Sequence, residues 1–304
     1  MVWLLTRLRI VLDTPNDRSL HHSPKPRAGG LGLLSGVALG AIASVGVLYP
    51  VIWIALGLAL LSFIDDRGHL PVMIRLSGHV LASVAIVFLI GDRSHPVLLP
   101  FFFLGLAWMT NLYNFMDGAD GLAGGMTVFG FVAYALAAGL QGHHEIGLVS
   151  ICVAAAAAGF LVFNFPPARI FLGDVGSIPI GFLAGALGFQ GWRAGAWPIV
   201  FPVVVFAPFI LDATVTLVRR AIRNQPVWRA HRGHYYQRLI LSGWTHRRTA
   251  LVEYALMAVC AVAGIYMVFS DLSAQFMVAG VLAILLIALM AVVDRRCPVS
   301  ESAK

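Results

Sequence analysis

The chain has 304 residues, of which 59% are hydrophobic and only 12% are charged. Because a soluble domain carries about 25% charged residues, this composition excludes an ordinary soluble fold and predicts one integral membrane domain over residues 1–304. The formal net charge of +7 would favour nucleic acid as the partner of a soluble protein. In a membrane protein, basic residues instead concentrate on one membrane face, so we expect the lipid bilayer as a partner and no nucleic acid.

In chain order, ten apolar segments predict an all-α, polytopic membrane fold with about ten transmembrane helices. Residues 1–12 are too few to cross a bilayer, so we expect a short N-terminal helix there, the inner half of a truncated first span. The segments 51–64 and 177–190 are short for a span, and we expect broken or tilted helices at both. The ten segments are 29–49, 51–64, 72–90, 97–115, 122–140, 146–163, 177–190, 197–218, 249–269 and 273–293.

Polar segments separate pairs of these spans and carry nearly all the acidic and histidine side chains. An even number of crossings returns the chain to the same side, so the segments share one membrane face. The opposite face has only two clear loop cations, Arg93 and Arg193, and the positive-inside rule therefore places the polar segments in the cytoplasm. The five segments are 13–30, 63–70, 111–125, 164–177 and 229–239.

Two adjacent carboxylates, Asp65 and Asp66, follow the second predicted span. Neighbouring carboxylates repel each other unless a cation or a shared proton relieves them, so the pair is a candidate for Mg²⁺ binding or for a general base. A polar helix end at the membrane surface is the alternative. The acids in the other polar segments of this face favour a functional role.

Asn111, Asn114, Asp117 and Asp120 follow one another at three-residue spacing, which keeps polar groups on one broad side of a helix. A stripe of polar residues packed against another helix would explain the two asparagines. It would not explain two aspartates inside a glycine-rich turn, where the backbone can approach a ligand closely. The pattern therefore favours ligand binding by the carboxylates.

Asp174 and Ser177 lie at the predicted start of the seventh span. A helix N-terminus favours anions and their counter-cations. Alone, an aspartate at such a position is more often a cap than a metal ligand. Grouped with the acids of the other segments, Asp174 is better interpreted as a metal ligand.

His231 and His234 are three residues apart in a long basic loop, with no third soft ligand nearby, so a zinc site is not predicted. Arginine and histidine clusters hold phosphate oxygens, and that is our interpretation. A basic surface resting on anionic lipid headgroups is the alternative. Asp212 lies within a span and is either a functional acid or one half of a structural pair with a neighbouring helix.

The chain resembles the polyprenyl-phosphate N-acetylhexosamine-1-phosphate transferase family, glycosyltransferase family 4. The HRGHYYQRL and RSLHHSPKPRAGG stretches look most like the branch that initiates O-antigen and related surface polysaccharides. They look less like the branch that uses UDP-N-acetylmuramoyl-pentapeptide, whose loop typically has a contiguous histidine run. The resemblance covers almost the whole chain and rests on five ordered motifs: DTPNDRSLHHSPKPRAGG, the Asp65–Asp66 pair, NFMDGADGLAGG, NFPPARIFLGDVGS and HRGH.

The resemblance implies an enzyme of the bacterial inner membrane that acts in lipopolysaccharide synthesis. It would transfer an N-acetylhexosamine 1-phosphate from a UDP-N-acetyl-amino sugar to undecaprenyl phosphate and release UMP, with Mg²⁺, or Mn²⁺ in its place, as cofactor. The implied metal ligands are Asp174 and Asp117. The implied catalytic residues are Asp65, Asp66, His231 and His234. The implied substrate-binding residues are Arg27, Asn111, Asn114, Asp117, Asp120, Asn164 and Phe171.

A transporter or flippase of an anionic lipid-linked metabolite is the alternative class, because Asp212 lies inside a span and the polar face is basic. A transporter places polar groups near the midplane and uses both faces, whereas the motifs here are confined to one face. The sequence leaves open the sugar of the donor, the polymer that is made, a covalent intermediate and a homodimeric assembly.

Overall fold

The computed structural model describes residues 1–8, 12–13, 20, 24–46, 49–68, 70–90, 99–227, 229 and 231–298. Most of the predicted polar segment before Pro24, and the predicted loop 91–96, lie outside the described residues. The helices are α1 Val2–Leu8, α2 Gly29–Val45, α3 Pro50–Gly68, α4 Val72–Ile90, α5 Leu99–Phe115, α6 Leu122–Leu140, α7 His144–Asn164, α8 Asp174–Ala194, α9 Val200–Val205, α10 Ala207–Ile222, α11 Tyr235–Leu241, α12 His246–Val268 and α13 Leu272–Arg296. Two short antiparallel strands, β1 Leu12–Asp13 and β2 Lys25–Pro26, pair with each other.

The all-α polytopic prediction is confirmed, because each predicted span corresponds to helical structure and the N-terminal piece is the short helix α1. Within the described residues, five helices, α4, α6, α7, α12 and α13, are long and apolar enough to cross a membrane by themselves, and α2 is a shorter apolar helix. In lipid, the backbone polar groups must be satisfied within the chain, and helices achieve this for each span separately. Large apolar side chains stay exposed around the bundle, among them Leu39, Phe88 and Val262. These side chains face the lipid.

Of the two alternatives predicted for 51–64 and 177–190, a broken helix is wrong, and a tilted helix stays a prediction. α3 and α8 are continuous over 19 and 21 residues, because the polar ends that looked like loops are helical. The interruption instead falls in the predicted span 197–218, which is divided into α9 and α10 at Phe206. Pro208 stands at the start of α10. It has no N–H to donate and its ring crowds the preceding turn, so a helix running through from α9 would be broken there.

The helix α8 is the centre of the bundle. Most of its residues are buried, and α2, α3 and α5 pack against it. The helix α7 packs against α2 and α6. An added Cβ at Gly36 would lie 3.2 Å from Ala156 and one at Gly40 would lie 2.9 Å from the sulfur of Cys152, so these glycines allow α2 and α7 to approach closely. The packing brings the N-termini of α2 and α8 to the same end of the bundle.

At that end, the segment before α2 pairs with the segment before α8. The N–H of Phe171 donates to Pro26, while the N–H groups of Gly29 and Gly30 donate to Phe171 and Leu172, all at 2.8–2.9 Å. A Cβ at Gly30 would come within 2.4 Å of the backbone of Gly176. Only glycine therefore permits this contact, which fixes the first and fourth polar segments against each other.

Candidate active site

Arg27 lies at the centre of a cluster of carboxylates from three polar segments. Its guanidinium makes a close ion pair with Asp174 at the start of α8, and its Nη1 lies 3.6 Å from Asp66 Oδ1 at the end of α3. The carboxylate side chains are only 6% exposed at Asp66 and 16% exposed at Asp174. Burial lowers the pKa of Arg27, but the carboxylates of Asp174 and Asp66 outweigh it and raise the pKa above its usual value. The cation therefore stays charged and holds the acids together.

Asp117 joins the cluster from the loop between α5 and α6. It accepts a hydrogen bond from the backbone N–H of Gly173, next to Asp174. Burial raises the pKa of Asp117 well above its ordinary value, against the opposing effect of Arg27. Burial therefore disfavours the charged form of Asp117 unless a cation lies beside it.

The local backbone explains how these side chains come together. Gly173 has φ of 72° and precedes the first residue of α8, a conformation that side chains other than glycine rarely adopt. It turns the chain so that Asp174 opens the helix with its carboxylate at the positive end of the helix dipole. Gly121, with φ of 78°, likewise turns the chain just before the first residue of α6.

The side chains of Asp65 and Asp66 point in different directions from α3, so the two carboxylates do not act as a pair. Asp65 Oδ1 accepts from the N–H of Leu70 at 2.7 Å, and its Oδ2 accepts from Arg75 at 3.0 Å. Adjacent residues on a helix point about 100° apart. Asp66 therefore faces Arg27 while Asp65 stabilises the turn between α3 and α4.

The two asparagines on α5 connect helices. Asn114 Oδ1 accepts from the Ser177 hydroxyl at 3.2 Å, which joins α5 to α8. Asn111 donates to Ala107 at 2.7 Å and interacts with His79 of α4. These contacts are those of a polar stripe packed against neighbouring helices. The predicted substrate contacts of Asn111 and Asn114 stay predictions.

Asp120 and Asn164 hold the loops beside the cluster. Asp120 Oδ2 accepts from the N–H of Ala168 at 2.9 Å and lies 3.9 Å from Lys25 Nζ. Asn164 uses both ends of its amide, since Oδ1 accepts from Gly121 at 2.9 Å and Nδ2 donates to Ile170 at 2.9 Å. Both residues are buried. They fix the loops beside the cluster, and their predicted contacts with the substrate stay predictions.

Phe171, one of the implied substrate-binding residues, is half-buried in the segment before α8. The ammonium group of Lys25 lies 5.1 Å from the centre of its ring. A flat ring beside a cation suits a base that carries phosphates, because the cation balances their charge.

His234 is buried and held by Asp212. Its Nδ1 lies 3.1 Å from Asp212 Oδ1, and the same carboxylate accepts from the backbone N–H groups of Tyr235 and Tyr236 at 3.0 and 3.1 Å. Thr216 donates a further hydrogen bond at 3.2 Å. Asp212 therefore caps α11 and orients the imidazole. Of the two roles considered for this intramembrane acid, the structure shows the contact with a neighbouring element.

His231 lies beside His234, with ring centres 5.0 Å apart. Its Nδ1 accepts from the N–H of Gly233 at 3.2 Å, which requires that nitrogen to be unprotonated. Burial, followed by His234 and Arg220, lowers the pKa of His231 to about 4. At neutral pH this histidine is uncharged, so it can contact a phosphate as a neutral donor and not as a cation.

The segment that carries His231 and His234, here called the histidine loop, leads into α11, and α11 contacts the residues next to Asp117. The Tyr236 hydroxyl donates to the carbonyl of Phe115 at 3.1 Å, and the rings of Phe115 and His234 stack at 6.3 Å. A Cβ at Gly118 would lie 2.2 Å from the Tyr236 hydroxyl. Gly118 directly follows Asp117, so the fifth polar segment packs against the third.

Three residues at the site were not singled out from the sequence. Lys25 approaches Asp120 and Phe171, Arg75 pairs with Asp65, and His246 accepts from the N–H of Asp120 through Nδ1 at 3.1 Å. That hydrogen bond requires Nδ1 of His246 to be unprotonated, so its proximity to the Asp120 carboxylate is not an ion pair. His246 and Arg75 belong to no motif, and only the packing of α12 and α4 reveals them.

The donor set can be tested against a magnesium ion. No three acidic, histidine or cysteine side chains within the described residues form a ready-made metal cage. Mg²⁺ does not need one, since it is usually held by one or two carboxylates together with phosphates and water. Asp174 and Asp117 share Gly173 as a neighbour and offer oxygen ligands, and binding a cation would relieve the cost of a buried Asp117 carboxylate. The residues fit the ion.

Comparison with known proteins gives the same family as the sequence motifs. The model of the glycosyl transferase family 4 matches residues 47–191. A probable undecaprenyl-phosphate N-acetylglucosaminyl 1-phosphate transferase of Bacillus subtilis (strain 168) is 30% identical over 269 residues, which cover 81% of this chain and 74% of the relative. The chain belongs to the polyprenyl-phosphate N-acetylhexosamine-1-phosphate transferase family.

Other members of the family differ in substrate. A decaprenyl-phosphate N-acetylglucosaminephosphotransferase of Mycolicibacterium smegmatis is 29% identical over 88% of this chain and 78% of its own length. A phospho-N-acetylmuramoyl-pentapeptide-transferase of Moorella thermoacetica is 29% identical over 86% of this chain and 91% of its own length. Membership makes the chain a multi-pass membrane transferase and leaves the transporter alternative without support. It does not select one sugar.

Proposed function

We propose that this enzyme transfers an N-acetylhexosamine 1-phosphate from a UDP-linked donor to undecaprenyl phosphate, releasing UMP. The observation that carries the proposal is the meeting of Asp66, Asp117 and Asp174 around Arg27 at one end of a membrane bundle. A cation-centred group of carboxylates at a membrane surface suits a reaction between a soluble pyrophosphate and a lipid phosphate.

The reaction is a displacement at phosphorus. An oxygen of the lipid phosphate attacks the β-phosphorus of the donor, the bond to the oxygen bridging the α- and β-phosphates breaks, and UMP leaves with the electron pair. Catalysis of such a step is mostly positioning and charge stabilisation. Arg27 is placed to stabilise charge on the pyrophosphate. Asp66, at 3.6 Å from it, is placed to accept the remaining proton of the attacking lipid phosphate.

Mg²⁺ is the proposed cofactor, with Mn²⁺ as a substitute, and Asp174 and Asp117 are its proposed protein ligands. The ion would supply positive charge for the donor pyrophosphate. Within the chain, Arg27 then holds Asp174 and Asp66 in place, and Gly173 holds Asp117 through its N–H. His234, fixed by Asp212, is the proposed hydrogen-bond donor to the pyrophosphate.

The prenyl chain requires an apolar space within the bilayer. A cavity of about 1010 Å³ lies between α10, α12 and α13, with Leu256, Leu286 and Met290 in its wall. Asp212 also lines this cavity, so the space reaches the back of the carboxylate that holds His234. This contact supports the cavity as the place for part of the chain of the lipid acceptor.

The surface-polysaccharide branch is the proposed branch of the family, with the catalytic face in the cytoplasm of the bacterial inner membrane. The HRGH loop, in which the two histidines are separated, supports this choice.

One assay tests the function. Purified protein is incubated with UDP-N-acetylglucosamine, undecaprenyl phosphate and Mg²⁺, and UMP is measured by chromatography. We expect UMP to appear only when donor, acceptor and metal are all present. Replacing the donor with UDP-N-acetylmuramoyl-pentapeptide tests the branch. UMP from that donor alone would contradict the surface-polysaccharide assignment, and no UMP from any donor would contradict the transferase reaction itself.

A further inference from the structure

A second, polar cavity lies behind the histidine loop. Its volume is about 490 Å³, and it is enclosed by the C-terminal ends of α10 and α13 and by one side of α11. Among the residues that the structure describes, its charged lining consists of four arginines and one carboxylate: Arg219, Arg220, Arg223, Arg238 and Asp294. With Asp294 ionised, the lining carries an excess of three positive charges, which calls for an anion.

Asp294 forms ion pairs with only two of these arginines. Arg219 lies 2.5 Å and Arg238 lies 2.7 Å from its two oxygens. Arg238 also donates to the carbonyl of Cys297 at 2.7 Å and 2.9 Å. Arg238 is therefore committed to fastening α11 to the end of α13, and it is not available to a ligand.

Arg220 is the observation that points to a ligand. The residue is 6% exposed, and its Nη2 donates to the carbonyl of Pro226 at 3.1 Å, but its buried Nε has no hydrogen-bond partner among the residues that the structure describes. A buried charged donor without a partner costs free energy, so such groups normally face something that satisfies them. Arg223, the residue that follows α10, is exposed and lines the same cavity. The side chains of Arg220 and Arg223 both line the cavity, so two guanidinium groups that no carboxylate pairs with among the described residues lie beside it.

The cavity is distinct from the aspartate cluster because it lies on the other side of α11. Tyr235 and Arg238, three residues apart, face Asp294. Tyr236 and Gln237 face Gly118 beside Asp117. A ligand in the arginine cavity would therefore bind against the back of the segment that carries His234.

We propose that the arginine cavity binds the phosphate of an anionic phospholipid. Guanidinium groups recognise phosphate oxygens through paired, charge-assisted hydrogen bonds. The cavity opens where two bundle helices end, and this is the depth at which lipid headgroups lie. A phosphate there would pair with the guanidinium of Arg220, balance the excess charge and link the end of α10 to α11. The same chemistry would accept a free phosphate, which the test separates.

The test uses the full-length protein in a neutral detergent. The midpoint of thermal unfolding is measured during titration with phosphatidylglycerol, with phosphatidylcholine or with inorganic phosphate, and apparent Kd values are derived. Arg220→Gln removes the buried donor, and Arg223→Gln removes an exposed donor without disturbing packing. Arg295→Gln is the matched control, because this exposed arginine lies at the same end of α13 and lines neither cavity.

We expect phosphatidylglycerol to stabilise the wild-type protein and Arg295→Gln equally, and phosphatidylcholine to have little effect. Arg223→Gln should weaken binding about tenfold, and Arg220→Gln at least as much. If inorganic phosphate gives the same variant-dependent effect at matched concentration, the cavity is a phosphate site with a soluble ligand, which would overturn the lipid assignment. Equal binding of phosphatidylglycerol by all four proteins would overturn the proposal as a whole. No activity is measured, so the result is independent of the transferase function.

Discussion

Asp65 and Asp66 are neighbours in the chain, but they have different surroundings and should respond differently to mutation. Asp66→Asn and Asp174→Asn each remove a carboxylate that faces Arg27. We expect both to fold and to lose most activity at saturating Mg²⁺, on the order of 10²-fold or more in kcat. Steady-state kinetics of UMP release measure this. Activity like that of the wild type in Asp174→Asn would exclude it as a metal ligand.

Asp65→Asn provides the matched comparison. Its carboxylate bonds to Leu70 and Arg75 and points away from Arg27. We expect a lower unfolding midpoint with kcat reduced far less than in Asp66→Asn. An equally severe loss of kcat with unchanged stability would show that both acids serve the chemistry, as the sequence alone suggested.

His231 gives a pH dependence with a defined sign. Its pKa is about 4 in the folded protein against 6.5 for the ordinary side chain. Between these values the unfolded chain binds a proton that the folded chain does not, so this histidine lowers stability as the pH falls from 6.5 to 4. In His231→Gln, the unfolding midpoint should decline less steeply across this window. Parallel declines in the two proteins would contradict the depressed pKa.

The sequence predicted which residue types matter, but not their pairings. The carboxylates of 63–70, 111–125 and 164–177 were expected to meet because an even number of crossings returns each to one face. That Arg27 lies among them, and that Asp65 turns away, depends on the rotation of α3 and on the backbone pairing before α2 and α8. A contact between residues 147 positions apart, such as Arg27 with Asp174, leaves no local pattern.

At the scale of elements, α11 is a short helix that depends on a single buried acid. The Asp212 carboxylate accepts the two first N–H groups of α11 as well as His234 Nδ1. We expect His234→Ala to lower kcat by on the order of 10²-fold, the effect of losing one preorganised donor. Asp212→Asn keeps one amide oxygen acceptor but loses the charge, and a smaller fall in kcat is expected.

These variants are compared in neutral detergent, where no anionic leaflet is present. His144→Ala, an exposed change at the start of α7, is the control. A kcat for His234→Ala within about twofold of wild type would mean that the loop is a membrane anchor, since this corresponds to less than about 0.5 kcal/mol of barrier. Activity would then depend on the four aspartate-bearing motifs alone.

Helix positions were predictable because a bilayer permits few alternatives to long apolar helices. The predicted breaks were wrong for one physical reason. Asp65, Asp66 and Asp174 were assigned to loops, which shortened two spans, whereas polar residues at the membrane surface can remain helical and be satisfied by Arg27 and Arg75. The break at Phe206 did have a local signal in Pro208.

At the scale of the whole molecule, the side chains of the site come together because α8 lies at the centre of the bundle. This helix touches α2, α3 and α5, so its N-terminus meets the polar ends of all three. The histidine loop enters last in the chain and closes the group through Tyr236 and Phe115. A single face of the bundle thereby holds groups from residues 25 to 246, and it must be the face that meets the soluble donor.

The orientation of that face decides whether a cytoplasmic nucleotide sugar can reach the site. Charge predicts that it is cytoplasmic, because the opposite loops have few cations. Ser242 is exposed after α11 on the motif face, and Gln141 is exposed after α6 on the other. The neighbouring Gly142 has a φ of 77°, a conformation in which a cysteine would be strained, so Gln141 is the position chosen for the cysteine. Each cysteine is placed in a background where Cys152 and Cys297 are serine, since both are partly exposed and Cys260 is buried.

A membrane-impermeant thiol reagent is applied to cells with a permeabilised outer membrane. We expect Gln141→Cys to react directly and Ser242→Cys to react only after the inner membrane is opened, because a charged reagent cannot cross the bilayer. The unsubstituted background protein controls for residual labelling. Reaction of Ser242→Cys in intact inner membranes, with Gln141→Cys protected, would place the carboxylates and Arg27 outside the cytoplasm. A nucleotide-sugar donor made in the cytoplasm could then not reach them, and the proposed reaction would fail with the topology.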